Sequence, residues 1–382
     1  MTRRSIVVGI RKEYSIDSQS DVLRKFLKPD IMEIIDIVNE VKTGFRPSVI
    51  AHALNESVDK VKKKLSAMKN HGLRIVCKVD HYRMGLLKTV VFSKNTGWEH
   101  YEYRYMLKSY FETLSPSLGA FYIVYTPIAA GIEADEMVYL LDPELYFVTE
   151  ITVYPKPKYK RYFDFTRNEP VNDFRLVEDR FRSYMESVVL PELRTAKTLD
   201  WLDLLIVKEL EKNALLSLND IAFNLSIALN RRIMTRSIRK HYHSHILGQG
   251  LIQGATFAYS PFPAESSILI VLVTEGSPKA NYALARALSE TFMHRGSLIS
   301  RSSRMALHLL VVPNKEMNEL TLFLRNIHDV FEDVEIYVAN RLTARSWTIP
   351  FLAFDQEERW WSLDNIERMS IKYHVSGEPV AS

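Results

Sequence analysis

Ile50-Ala51-His52-Ala53-Leu54 and Ile221-Ala222-Phe223-Asn224-Leu225 sit at corresponding points of a pattern that the chain carries twice. Before the first run, Ile31, Ile34, Ile35 and Val38 recur at helical spacing, and Val58, Val61, Leu65 and Met68 do so after it. Around the second run, Trp201, Leu204, Leu205 and Val207 come before, and Met234, Ile238, Tyr242 and Ile246 come after. Each set predicts three short helices that turn one apolar face toward a shared core. Both sets then pass through a glycine into a β-rich tail, His71-Gly72-Leu73-Arg74-Ile75-Val76 and Gln249-Gly250-Leu251-Ile252-Gln253-Gly254.

Three helices and a β-wing predict a winged helix-turn-helix, here in two copies. The second copy carries extra residues around Ile227–Ile233, between its second and third helices. Charge is segregated along the chain. The net charge of 382 residues is only +4, yet no Asp or Glu occurs from Ile221 to Ala264. Arg231, Arg232, Arg236, Arg239 and Lys240 fall inside that stretch, with His241, His243 and His245 beside them. A solvated helix face usually mixes signs, whereas a one-signed face suits a polyanion.

The rest of the chain predicts an α+β protein. Leu86–Ser93, Ala120–Thr126 and Tyr146–Tyr154 read as strands, and Trp98–Leu114 and Glu133–Leu141 as helices, a shortened ferredoxin-like domain that lacks one strand. In the second half, Ser266–Val273, Leu298–Ser302, Met305–Val312 and Val334–Asn340 read as strands, with helices at Asn281–Phe292 and Glu316–Phe331. That order is βαββαβ, a ferredoxin-like sheet. The boundaries are a lead-in over 1–29 (a strand at Ser5–Ile10, a helix at Val22–Leu27), winged helices at 30–85 and 198–260, ferredoxin-like domains at 86–155 and 264–341, a connector at 156–197, and an aromatic-rich tail at 342–382. Thr198 is the expected cap of the second module. Pro261 and Pro263 mark the linker after it. The connector carries a helix over Val171–Leu193, and the tail, with Trp347, Phe351, Phe354, Trp360, Trp361 and Tyr373, should pack on this chain or a partner. Ile268–Val273 and Leu307–Val312 are apolar without alternation, so both faces of the second sheet need cover: the first half's sheet or a second chain.

These residues resemble the Lrp/AsnC (leucine-responsive and asparagine regulator) family, as a tandemly duplicated archaeal relative. The likeness lies in Leu202-Asp203-Leu204-Leu205-Ile206-Val207-Lys208-Glu209-Leu210, in Leu218-Asn219-Asp220-Ile221-Ala222, and in Val79-Asp80-His81-Tyr82-Arg83-Met84-Gly85. It covers residues 30–155 and 199–341. It implies a transcription regulator that dimerises through its sheets. The family's effector pocket uses a turn containing Gly and Asp between the second and third strands. Ser300-Arg301-Ser302-Ser303-Arg304 has neither, so amino-acid sensing is not implied.

The candidate DNA-contacting residues of copy two are Asn230, Arg231, Arg232, Thr235, Arg236, Arg239, Lys240 and His243. Arg232, Arg236, Arg239 and His243 form one stripe of a helix, opposite the apolar face, and Arg can grip a guanine edge or a phosphate at two points. Copy one offers Ser57, Lys60, Lys63, Lys64 and Arg74, where lysines suit phosphate contact without base discrimination. Lys156, Lys158, Lys160 and Arg161 among Tyr154, Tyr159, Tyr162 and Phe163 could stack single strands, but read more simply as a lysine-protected edge. His241 and His245 share a face at metal-ligand spacing, but no acid is near them in sequence, so no metal and no cofactor is expected.

The leading function is therefore a sequence-specific double-stranded DNA-binding protein, a cytoplasmic regulator acting as a homodimer or pseudo-dimer, and not an enzyme. A single cysteine, Cys77, fits a reducing setting, the amino terminus is too short in apolar residues for a signal peptide, and no stretch nears the ~20 apolar residues of a membrane helix. Two alternatives stay open. One is an adaptor binding proteins of the transcription or replication machinery. The other is a sirohaem-decarboxylase-like enzyme, an activity that the resemblance also covers, which would need a tetrapyrrole-sized pocket lined by His81, Arg83 or His308.

Overall fold

A computed structural model describes residues 28–363 except 42–44, 71–72, 116, 168, 196–198, 259–261 and 263. The readings for Ser5–Ile10, Val22–Leu27, Thr198, Pro261, Pro263 and Tyr373 lie outside the described residues.

The first helical group is α1 (Pro29–Glu40), α2 (Pro47–Leu54) and α3 (Val58–Asn70). Proline opens α1 and α2, where its missing N–H would be unpaired anyway. Asn55 ends α2 at φ 52°, a left-handed cap. Ile31, Ile34, Ile35, Val38, Ile50, Val61, Leu65 and Met68 are buried as their spacing predicts, but Val58 opens α3 half in solvent. Further along, α4 (Ile132–Tyr139) covers the first large sheet and α5 (Phe174–Ser187) is the connector helix, capped by the Asp173 carboxylate. The second group is α6 (Trp201–Lys212), α7 (Leu218–Ala228) and α8 (Thr235–His241). Capping boxes open α6 (Asp200 with Asp203) and α7 (Ser217 with Asp220).

Neither group forms a wing of its own among the described residues. Instead β1 (Arg74–Val79) pairs antiparallel with β7 (Ile252–Ala258), Val76 opposite Thr256 and Cys77 opposite Ala255. The helices are exchanged across this ribbon: α1 packs on β7 and α6 on β1. The two groups therefore form one body.

Two five-stranded sheets follow. The first contains β2 (Leu86–Ser93), β3 (Leu107–Glu112), β4 (Ala120–Pro127) and β5 (Pro143–Thr149), in the order β3-β4-β2-β5, with the tail strand Arg345–Ser346 on the β3 edge. The second contains β8 (Ser267–Glu275), β9 (His294–Ile299), β10 (Met305–Pro313) and β11 (Asp333–Ala339), in the order β11-β8-β10-β9. Its β9 edge is extended by β6 (Ile151–Val153), which comes from the first half.

Two expectations change here. Trp98–Leu114 is not a helix: 3-10 turns at Trp98–His100 and Arg104–Met106 lead into β3. Trp98, Tyr101, Tyr103, Tyr105, Tyr110 and Phe111 crowd this stretch, and aromatics favour extended backbone. The first half thus has its four strands and lacks a helix instead. Tyr146–Tyr154 is also not one strand. It breaks at Glu150, where the chain leaves the first sheet for the second and the Arg301 N–H donates to the Glu150 carboxylate.

Helices α9 (Pro278–Ser289) and α10 (Met317–Ile327) pack on the second sheet, and α5 lies over both. Phe181 stacks on Phe331 at 5.8 Å there. On the opposite side, Tyr337 of β11 meets Phe92 and Phe121 of the first sheet at 5.7 and 5.3 Å. One apolar core runs through both halves. The chain covers its own second face, so the apolar strands do not require a second chain. The tail packs inward as expected, Trp347 against Trp98 and Trp361 donating its indole N–H to the Met84 carbonyl. No helix of the described residues is long and apolar enough to cross a membrane.

Candidate nucleic-acid interface

Helix α8 follows a six-residue connection from α7 in which Asn230 takes φ 47°. Arg231, Arg232, Arg236, Arg239, Lys240 and His243 are exposed, as is Asn230, while Thr235 is half-buried in the first turn. Among the described residues, Arg232, Arg236, Arg239 and Lys240 have no carboxylate partner. Arg231 differs: its guanidinium lies over the Trp201 ring at 5.7 Å, which ties the connection to α6. Ile238, Tyr242 and Ile246 are buried as predicted. Met234, placed in the same core stripe by spacing, instead precedes the helix and is 59% exposed. Arg232 likewise lies in the connection rather than on the helix, because α8 begins only at Thr235. His243 falls in a π-helical turn, Tyr242–Leu247, that continues α8.

The first module is electrostatically different. Lys60 pairs with Glu56 at 2.8 Å, and Lys62 lies 3.9 Å from Asp59. Lys64 bridges Glu56 and Asp30, each at 3.1 Å, with its side chain only 17% exposed. Hydrogen bonds from Lys60 and Lys64 hold the Glu56 carboxyl below its usual range. Lys64 therefore joins the start of α1 to α3 and is not free for phosphate. Lys63 is exposed without an ion-pair partner among the described residues, and Arg74 is exposed at the start of β1. The Ser57 hydroxyl accepts from the Lys60 N–H at 3.3 Å, an N-terminal cap rather than a free contact.

The basic–aromatic connector also does structural work. Lys156 and Lys158 pair with Glu40 of α1, Arg161 pairs with Glu290, and Tyr159, Tyr162 and Phe163 are buried. Its rings are not available for stacking on bases.

Helix α6 supplies the acids that sequence proximity missed. Asp200, its N-cap, and Asp203, in its first turn, face His241 and His245, with all four ligand-type atoms within 4.8 Å of one another. The signal was present in the sequence as Asp at i and i+3 opening a helix. The two elements lie about forty positions apart, so only the packing of α6 on α8 joins them.

At the junction of the halves, Glu211 from the end of α6 accepts from Lys108 at 2.8 Å and lies 3.3 Å from His81 Nε2. The Tyr125 hydroxyl is also 2.9 Å from that nitrogen. Burial favours a neutral Glu211, but the Lys108 ammonium outweighs it and holds the carboxyl well below the usual range. Burial, then the Lys88 charge, pushes His81 down to about 3, so its ring is neutral. Burial and Lys108 push Lys88 down to about 7, and its ammonium donates to Thr152 at 2.8 Å. His81, Arg83, Lys88 and Tyr154 line a cavity of about 400 Å³ here. Arg83 is held by Asp80 and the Gln249 carbonyl. His308 is elsewhere, sealed in the second sheet between Ser297 and Thr274.

No protein-family model matches the chain, and no curated protein matches it. Among solved structures it is similar to the siroheme decarboxylase NirDL, with a TM-score of 0.49 and 11% identity over 91% of this chain and 99% of that one. The same enzyme in complex with an iron-uroporphyrin III analogue gives 0.47 and 12%, over 91% of this chain and 100% of that one. Aspartate kinase from Synechocystis gives 0.29 and 8%, over 81% and 56%. At TM-scores below one half these likenesses carry no activity over to this chain.

Proposed function

We propose that the chain is a double-stranded DNA-binding protein, a transcription regulator of Lrp/AsnC type built as a pseudo-dimer. In this reading the two helical groups are winged helix-turn-helix modules that share one ribbon, β1 with β7. The two sheets are ferredoxin-like domains packed within one chain. The observation that carries it is the set of Arg232, Arg236, Arg239 and Lys240, exposed and without a carboxylate partner among the described residues, in a stretch of 44 residues without an acid. A structural surface seldom leaves four like charges uncompensated, whereas a phosphate backbone supplies the missing anions. Helix α8 enters a groove by its first turns, where Thr235 and Arg236 sit. The first module, with Lys60, Lys62 and Lys64 already paired, contributes Lys63 as a phosphate contact.

The test is a salt titration of duplex binding by fluorescence anisotropy. Log affinity should fall linearly with log salt, by about −0.9 per phosphate neutralised. A slope near zero would remove the reading. It would favour instead a protein partner on the exposed Phe223, Ile227 and Met234 of the same module, the adaptor alternative.

A second reading, a sirohaem-decarboxylase-like enzyme, is favoured by the cavity beside His81, Arg83 and Lys88. The buried Nδ1 of His81 has no hydrogen-bond partner among the described residues. His308, which that reading also called on, does not line the cavity. Absorption spectroscopy after adding an iron-porphyrin tetracarboxylate decides it: a shifted Soret band that Arg83→Ala abolishes would support the enzyme.

A further inference from the structure

We infer that Asp200, Asp203, His241 and His245 form a binding site for a divalent first-row transition ion, zinc or a close relative, that bolts the start of α6 to the end of α8. The inference rests on these four side chains and not on the DNA reading.

The backbone caps one oxygen of each carboxylate, and the second oxygen of each faces the histidines. Asp200 Oδ1 accepts the N–H groups of Leu202 and Asp203, at 2.9 and 3.0 Å. Asp203 Oδ2 accepts the Asp200 N–H at 3.0 Å. This reciprocal cap fixes both side chains, the outer support a metal ligand needs. Asp200 Oδ2 and Asp203 Oδ1 remain. His241 Nδ1 lies 3.3 Å from the first and 2.9 Å from the second. His245 Nδ1 lies 3.1 Å from the same Asp203 oxygen and 3.0 Å from the capping oxygen Oδ2, so it sits astride that carboxylate. A tetrahedron with bonds of about 2.0–2.1 Å has edges of about 3.3–3.4 Å. Three of the six donor–donor edges, at 2.9, 3.1 and 3.3 Å, lie close to those of an occupied site, and the others stay within 4.8 Å, so the side chains would have to draw in around the ion to complete it.

Three further features fit. Asp203 is fully buried, and a buried carboxylate needs a compensating charge. Two carboxylates and two neutral imidazoles balance a divalent cation, and each neutral ring only has to carry its proton on Nε2 for Nδ1 to coordinate. The histidine pair also straddles the change from α to π winding at Tyr242, with ring centroids 4.8 Å apart, and π-turns often mark functional sites. Two imidazoles disfavour Mg²⁺ and Ca²⁺, which prefer oxygen. Four protein ligands leave no open position, so the site is structural or regulatory rather than catalytic. Through it the ion would set the angle of the helix that carries Arg236 and Arg239. That consequence alone rests on the proposed function.

The experiment uses the full-length protein, treated with chelator and titrated with Co²⁺. Tetrahedral N₂O₂ coordination should give visible d–d bands, which Zn²⁺ displaces, and Zn²⁺ should raise Tm. Asp200→Asn keeps the helix cap, since Asn caps as well as Asp, and His245→Gln keeps a polar side chain. Each should weaken Zn²⁺ binding by about tenfold or more while circular dichroism stays native. Absence of bands and of a Zn²⁺-dependent Tm shift in the parent protein overturns the site, leaving a hydrogen-bonded cluster only. Bands that persist unchanged in both variants also overturn it, placing the ion elsewhere. Metal binding without any DNA binding would retain the site and discard the regulator reading.

Discussion

Cys77 of β1 lies directly opposite Ala255 of β7, on strands about 180 positions apart in sequence, and this pairing joins the two halves of the chain. Cys77 is 2% exposed, and burial, with the nearby Glu211 charge, pushes its thiol far above the usual range. Only the thiolate reacts readily. The thiol should therefore be silent toward an aromatic disulfide reagent in the native protein and react stoichiometrically in denaturant. Rapid native labelling would mean that the ribbon opens on its own.

The contrast between the two modules predicts how DNA binding responds to single changes. Arg236 is exposed in the first turn of α8, with no carboxylate partner among the described residues, so Arg236→Ala should cost about 1–3 kcal/mol on a preferred site and flatten discrimination between sites. Lys63→Ala should weaken all duplexes alike and make the salt slope shallower by about one phosphate. Lys64→Ala should leave the slope unchanged and lower Tm, because it removes the cation shared by Asp30 and Glu56. Anisotropy at several salt concentrations, with a melting curve for each variant, checks all three. Equal slope changes for Lys63→Ala and Lys64→Ala would contradict the pairing.

Local pattern disclosed most of the helices, since burial at 3.6-residue spacing leaves its mark in Ile31, Ile34, Ile35 and Val38 or in Ile238, Tyr242 and Ile246. It misled wherever tertiary context decides. The aromatic run from Trp98 to Phe111 carries no unambiguous period, so the whole of Trp98–Leu114 reads as helix from sequence although its second half is strand β3. Strands β5 and β6 are both apolar, and nothing local marks Glu150 as the point of exchange between sheets. The β1–β7 ribbon and the Asp200–His241 contact join distant segments. The charge of the α8 face was legible because the absence of acids is a property of composition. The neutralised lysines of α3 were not, since Asp30 reaches Lys64 only after α1 has packed.

Lys88 makes stability depend on alkaline pH. Its folded pKa, pushed down to about 7 by burial and Lys108, lies below the ordinary 10.5. Between those values the unfolded chain holds a proton that the folded chain has released, so this group favours folding increasingly as pH rises from 7 toward 10.5. Below 7 both states are protonated, and the cost of burying the charge is felt in full. Lys88→Met, similar in length and apolar, should be more stable than the parent at pH 6 in urea unfolding. Its advantage should shrink as pH rises toward 10. An advantage independent of pH would show that Lys88 titrates normally.

Gly85 tests how the tail is fastened. It takes φ +81°, and a Cβ there would lie 2.8 Å from the edge of the Trp360 ring. Ala at this position faces two penalties: the left-handed backbone, about 1 kcal/mol or more, and a collision with an indole rather than a flexible chain end. The neighbouring Met84 carbonyl accepts the Trp361 N–H, so shifting Trp360 also strains that bond. Gly85→Ala should lower stability by about 2 kcal/mol and expose Trp360 and Trp361, seen as a red shift in tryptophan emission. Truncation after Asn340 leaves Trp98 and Trp201, and should give a similar emission change through Trp98, which loses its contact with Trp347. If Gly85→Ala shifted stability without moving the emission, the backbone term alone would be at work and the tail would be held by its other contacts.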